Sequence, residues 1–177
     1  MAQSTIDRPA ATEYAPYYER YISRVPDGDL IELLERQLED TLALLRAVPE
    51  ERADARYAPG KWSIKEVVGH LSDTERVFAY RALRIARNDP TPLPGFDQDE
   101  YVRHGGFDAR TLADLAAEFS AVRRATMDVF RYLDRDALSR RGVANGAEVS
   151  VRALAYIIAG HERHHGEVLR TRYLTRE

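Results

Sequence analysis

An all-α fold, a four-helix bundle with a long crossover connection between the second and third helices, follows from three features of the sequence. Four stretches, each long enough for several turns, carry apolar residues at intervals of three and four. No set of alternating apolar and polar runs stands between them, so a sheet is not expected. The length of 177 residues, 44% of them hydrophobic, suits one domain with a proper core. Four amphipathic helices in one domain bury their stripes against one another.

Residues 1–26 hold Pro9, Pro16 and Pro26 and a tyrosine patch, Tyr14, Tyr17, Tyr18 and Tyr21. They are expected to form an arm draped over a bundle domain spanning 27–177. The first helix covers 27–47, where Leu30, Leu34, Leu38, Leu42 and Leu45 mark one face and Pro49 the end. Ser63 followed by Glu66 is a capping box just after Pro59-Gly60, and it starts the second helix. Ile64, Val67, Val68, Leu71, Phe78 and Ile85 continue that helix to Asn88-Asp89-Pro90.

The connection over 90–110 contains Pro92, Pro94, Gly95, Gly105 and Gly106, with a short helix expected at 97–102. A connection of that length in a compact domain is functional or spans the bundle. The third helix runs over 111–133 on Leu112, Leu115, Phe119, Val122, Met127, Val129 and Phe130. Gly142 and the turn pair Asn145-Gly146 follow, permitting at most a minor hairpin. Ser150 then caps a fourth helix over 151–174.

Charge and cysteine content exclude several functions. A net charge of −3, from 26 basic and 29 acidic residues, offers no footprint for nucleic acid or an anionic membrane. Acids and bases interleave, as in Glu75-Arg76 and Asp134-Arg135-Asp136, which predicts a solvated face. With no cysteine there is no disulfide, no cysteine-type zinc site and no thiol nucleophile. A thiol, if used, must arrive as a cosubstrate. No apolar run reaches membrane-spanning length, and Met1-Ala2-Gln3-Ser4-Thr5 does not open a signal peptide, so a cytoplasmic location is expected.

The candidate site lies in His161-Glu162-Arg163-His164-His165, which holds three of the five histidines. On the stripe set by Val151, Leu154, Ile157, Ile158, Val168 and Leu169, His165 falls near the centre, His161 well inside and His164 at the rim. Residues four apart stack on one helix face, so His161 and His165 can reach one ion. On the second helix His70 shares a side with Val67, Thr74 and Val77, and its phase permits an inward direction without requiring one. Each could be a core histidine satisfied by a hydrogen bond. Several imidazoles together in an apolar setting, however, need partners, and a divalent ion satisfies them at once. Three neutral ligands leave an open coordination position, the pattern of a catalytic site.

The same five residues match H-E-x-x-H, the zinc-protease helix motif with Glu162 as base. The context argues against a protease: little chain remains to supply a further ligand, and no edge strand is expected to pair with a peptide. Glu162 is a candidate proton shuttle, although a solvated surface acid suits its position better.

Three blocks resemble the DinB-like superfamily, in particular its YfiT-like group of metal-dependent hydrolases and thiol S-transferases. They are Lys61-Trp62-Ser63-Ile64-Lys65-Glu66-Val67-Val68-Gly69-His70-Leu71 with Asp73-Thr74-Glu75-Arg76, then Pro94-Gly95-Phe96-Asp97, then Ala159-Gly160-His161-Glu162-Arg163-His164-His165. The resemblance covers the chain from about residue 29 onward. It implies a four-helix bundle, a metal triad at His70, His161 and His165, one divalent ion (nickel or zinc, with iron or manganese as alternatives) and a homodimer. It also implies a small-molecule substrate and, in members with assigned activities, a low-molecular-weight thiol cosubstrate.

Three functions remain open. A metal-dependent S-transferase would acidify a thiol at the open position. A metal-dependent hydrolase would activate water to hydroxide there, with Glu162, Asp73 or Glu75 moving protons. A non-catalytic, stress-related dimer would use the ion to hold helices together. The 90–110 connection is expected to roof the site, where Phe96, Asp97, Tyr101 and His104 are candidates to shape access and His104 is expected to face solvent. Trp62 is expected to pack the bundle end rather than touch substrate.

Overall fold

A computed structural model describes residues 5–174. The first four residues of the arm, and with them most of the Met1–Thr5 reading, lie outside the described residues, as do 175–177. Four long helices form the bundle: α2 (Leu30–Arg46), α3 (Ile64–Ala86), α5 (Leu112–Arg131) and α7 (Val151–Val168). Three short helices accompany them, α1 (Glu19–Ile22) in the arm, α4 (Gln98–His104) in the crossover and α6 (Arg135–Ser139). Among the described residues, no helix is long and apolar enough to cross a membrane.

Local chemistry sets the helix starts. Ser63 Oγ accepts the Glu66 N–H while the Glu66 carboxylate accepts the Ser63 N–H, closing the capping box of α3. Asp29, Asp97, Thr111, Asp134 and Ser150 cap α2, α4, α5, α6 and α7 without the reciprocal bond, their side chains accepting orphan backbone N–H groups. The last helix stops being α-helical at Val168 and ends in one π turn, Leu169–Tyr173. Between α6 and α7 the chain forms an antiparallel hairpin, β1 (Arg141–Ala144) and β2 (Ala147–Ser150), around Asn145-Gly146. Both turn residues have positive φ, 52° and 75°, as a tight two-residue hairpin turn requires. Leu93 of the crossover bonds to this hairpin through Val143 O and the Asn145 N–H, which pins the start of the connection.

The arm is part of the core. Ile6, Tyr14, Tyr21, Ile22 and Val25 are buried in one apolar cluster with Leu34, Phe78, Met127 and Ile158. The backbone of α1 lies directly on α7, where a Cβ at Gly160 would meet Tyr21 O at 2.0 Å. Phe107 closes the other end of the crossover in the same way, its ring 2.4 Å from where a Cβ of Gly69 would stand.

The bundle interior is layered. One apolar cluster surrounds Leu34, Phe78, Met127 and Ile158, and a second surrounds Leu38, Leu71, Phe119 and Leu169. Between these levels every long helix contributes buried polar side chains: Gln37 and Thr41, His70, Thr74 and Glu75, Arg123, and His161 and Glu162. That polar layer contains the candidate site.

Candidate metal centre

The structure brings His70 from α3 together with His161 and His165 from α7. One nitrogen from each ring lies within 4.8 Å of the other two. His70 Nε2 and His161 Nε2 are 3.1 Å apart. Two nitrogens bound to one ion at about 2.0–2.1 Å stand roughly 2.9–3.4 Å apart for angles of about 90–110°, so the pair already has the spacing of two ligands. A direct hydrogen bond could account for this pair, but not for the third imidazole beside it. His164 falls outside the group, with its ring against Tyr21 at 5.6 Å.

Burial prepares these imidazoles to ligate. It pulls the His70 pKa down to about 4, and His161 and His165 well below the ordinary histidine value, the neighbouring imidazoles adding to the effect on the last two. All three are therefore neutral near pH 7, the form that binds metal. The Thr74 hydroxyl lies 3.3 Å from His70 Nδ1 and can accept its N–H, which orients Nε2 toward the centre. Aromatic rings wall the group: Tyr21 packs edge-on to His161 at 5.3 Å, and Trp62 lies 4.6 Å from the His70 ring. Trp62 thus contacts the site as well as packing the bundle end.

Behind the imidazoles sits a buried ion triad. Arg123 has no exposed side-chain surface and donates from Nε and Nη2 to the two oxygens of Glu75, at 2.8 and 2.7 Å. Its Nη1 donates to Glu162 Oε2 at 2.5 Å. Burial works to lower the guanidinium pKa, but Glu162 and Glu75 outweigh it and raise it. Thr41 donates to Glu162 Oε1 and Gln37 Nε2 to Oε2, each at 2.7 Å. Glu162 is therefore not the solvated acid its context suggests: it is buried, and both of its oxygens accept hydrogen bonds. Glu75, expected on a solvated face, is likewise buried. Both occupy helix faces continuous with the apolar stripe, where only a shared cation makes a carboxylate tolerable.

Two cavities open on the imidazoles. One, of 330 Å³, is lined by His161 with Thr74, Tyr18, Phe78, Arg81 and Phe96. The other, of 350 Å³, is lined by His165 with Trp62, Tyr57, Lys61 and Tyr173. Gln98, the first residue of α4, lines both. A larger polar cavity of 490 Å³ lies on the Glu162 side, among Arg24, Asp40, Glu167 and Arg170, and includes none of the three imidazoles. Of the crossover candidates, Phe96 reaches the first cavity, Asp97 caps α4, Tyr101 packs on Phe96 and His104 is exposed beside Glu100. Arg81, Gln98 and the arm tyrosines were not singled out from sequence as site residues.

The sequence profile of the DinB superfamily matches residues 33–169 of the chain. The chain belongs to the DinB superfamily. This DinB protein is 25% identical over 124 residues to "Putative metal-dependent hydrolase OB0413" of Oceanobacillus iheyensis, a match spanning 68% of this chain and 70% of that protein. A Bacillus licheniformis protein with the same designation is 33% identical over 94 residues, 46% of this chain and 52% of the relative. Among solved structures, YfiT from Bacillus subtilis, described as a probable metal-dependent hydrolase with an unusual four-helix bundle topology, superposes with a TM-score of 0.70 at 16% identity, covering 89% of this chain and 93% of YfiT. A mycothiol-dependent maleylpyruvate isomerase gives 0.66 at 13% identity, covering 82% of this chain and 61% of the isomerase. At such identities these structures establish the shared fold alone.

Proposed function

We propose that this DinB superfamily member is a divalent-metal-dependent enzyme that transfers a low-molecular-weight thiol to an electrophile. The reading is carried by one observation: the three clustered imidazoles border two separate cavities, His161 lining one and His165 the other. A two-substrate reaction needs two such approaches. Nickel or zinc suits the all-imidazole donor set, with iron or manganese as alternatives. A divalent ion held there would supply Lewis acidity, lowering the pKa of a coordinated thiol so that it is delivered as thiolate.

The chain's own residues do the rest. Three uncharged ligands would leave the ion its full charge, and Thr74 can accept the His70 Nδ1–H, which leaves Nε2 to face the ion. The thiol proton passes to solvent, since Glu75 and Glu162 are both committed to Arg123. The sulfur forms a bond to carbon as the leaving group departs from it.

A hydrolase using the same centre is the second reading, favoured by the designations of the two relatives. The test uses untagged protein, its metal content measured by elemental mass spectrometry beside His161→Ala. Both are assayed with chlorodinitrobenzene plus small thiols, and with nitrophenyl acetate without thiol. The expected result is near-stoichiometric metal and thiol-dependent turnover in the wild type, both lost in the variant. Metal with only thiol-independent ester cleavage would replace the transferase by the hydrolase. No metal in either protein would end both readings.

A further inference from the structure

Two arginines are buried among the described residues, and they differ in one respect. Arg123 is matched by two carboxylates. Arg81, 3% exposed, has no carboxylate within 4.0 Å among the described residues. Its Nη2 donates to Pro94 O at 2.6 Å, and the Tyr18 and Tyr101 hydroxyls are polar groups near it. The guanidinium carbon stands 5.4 Å from the centre of the Phe78 ring and 5.8 Å from that of Phe96. Arg81, Tyr18, Phe78 and Phe96 line the 330 Å³ cavity that His161 also lines.

A buried cation without a counter-charge is costly to keep. Burial accordingly pulls the Arg81 pKa below the ordinary arginine value. What the cavity lacks is an anion. A guanidinium offers parallel N–H donors that match a carboxylate in two-pronged fashion. The aromatic walls suit an apolar or aryl body attached to it. A single guanidinium balances one negative charge, the charge of a carboxylate, whereas a phosphate monoester brings close to two.

We propose that this cavity is a substrate subsite for a small organic acid, its carboxylate held by Arg81 and its other end directed at His161. Its volume is at the lower end of small-molecule sites, which run from about 300 to 1,000 Å³. The proposal deepens the reading of the imidazoles as a metal centre and names its substrate class. Binding at Arg81 itself does not require the ion.

The test is calorimetric titration of benzoate, and of the neutral isostere benzamide, into wild-type, Arg81→Met and Arg81→Lys proteins. Each is examined with its metal and after chelation, with thermal melting as the check on folding. Wild-type protein, chelated or not, should bind benzoate at least about tenfold more tightly than benzamide. Arg81→Met should erase that preference, and Arg81→Lys should retain only part of it. Equal affinity for the two probes in the wild type overturns the proposal without reference to any variant. So does an Arg81→Met protein that melts normally and still prefers benzoate. Benzoate binding that vanishes on chelation would assign the anion to the ion and overturn it too. Benzoate selectivity in protein that never carries metal would instead support the subsite while removing the metal centre, so the two readings fail separately.

Discussion

Arg123 is the side chain whose loss the molecule should feel most. It is the cation paired with two carboxylates taken out of water, and breaking such a group by removing one partner costs about 3–5 kcal/mol. Arg123→Met should therefore lower the urea-unfolding free energy by about that much, and a loss below about 1 kcal/mol would mean that water reaches Glu75 and Glu162. The position was visible in advance in one sense. Arg123 is four residues from both Phe119 and Met127, Glu75 four from Leu71 and three from Phe78, and Arg81 three from Phe78 and four from Ile85. Charged residues in phase with an apolar stripe are the signal. Composition-level counting of interleaved acids and bases averages it away. Phase did give His161 and His165 one common direction, as two imidazoles one turn apart on a strong stripe have. It put His165 at the centre, whereas His161 is the more deeply buried and His165 is half-buried like His164. For His70 it gave only permission, and the resemblance supplied the assignment.

At the scale of elements, the four long helices were legible because their caps and stripes are local. Ser63 with Glu66, Ser150, Thr111 and Asp29 each close bonds within their own first turn. The one-turn helix α6 and the hairpin's attachment to Leu93 are not local in that sense. Nor is the arm's role as a wall of the site, since Tyr21 meets His161 across most of the sequence. Glu13 fastens that arm. It is buried, and Arg152 donates to its two oxygens from Nε at 2.7 Å and Nη2 at 2.5 Å. Burial works to raise its pKa, but Arg152, the Ala10 N–H and the Ser150 hydroxyl outweigh this and hold it at about 2, against the ordinary 4.5. A pKa depressed on folding stabilises above the unfolded value and loses that effect as pH falls through the folded one. Glu13→Gln should thus be less stable than wild type at neutral pH, by about 1–3 kcal/mol. The gap should close between pH 4.5 and about 2. Thermal midpoints of both proteins across that range check it, and a gap constant with pH would refute the assignment.

For the molecule as a whole, an ion on the three imidazoles would tie α3 to α7 through the polar layer. Ligand binding to the folded state alone adds stability by mass action, about 4 kcal/mol when free ligand is a thousandfold above Kd. In a domain of this size each kcal/mol moves the melting temperature by about 2–4 °C. Chelation of metal-loaded protein should therefore lower the midpoint by roughly 8–16 °C, and readdition of the ion should restore it. An unchanged midpoint would leave the centre without a part in holding the helices.

The separation of the ligands gives that tie a particular character. His70 and His161 are 91 residues apart in a chain that contains no cysteine. A covalent bridge closing a loop of roughly that length would restrict the unfolded chain by about 4–5 kcal/mol in the loop-entropy account. An ion shared by these side chains closes the same loop. The protein would then have the topology of a domain cross-linked once at long range, with a bond that reducing agents leave untouched and a chelator opens.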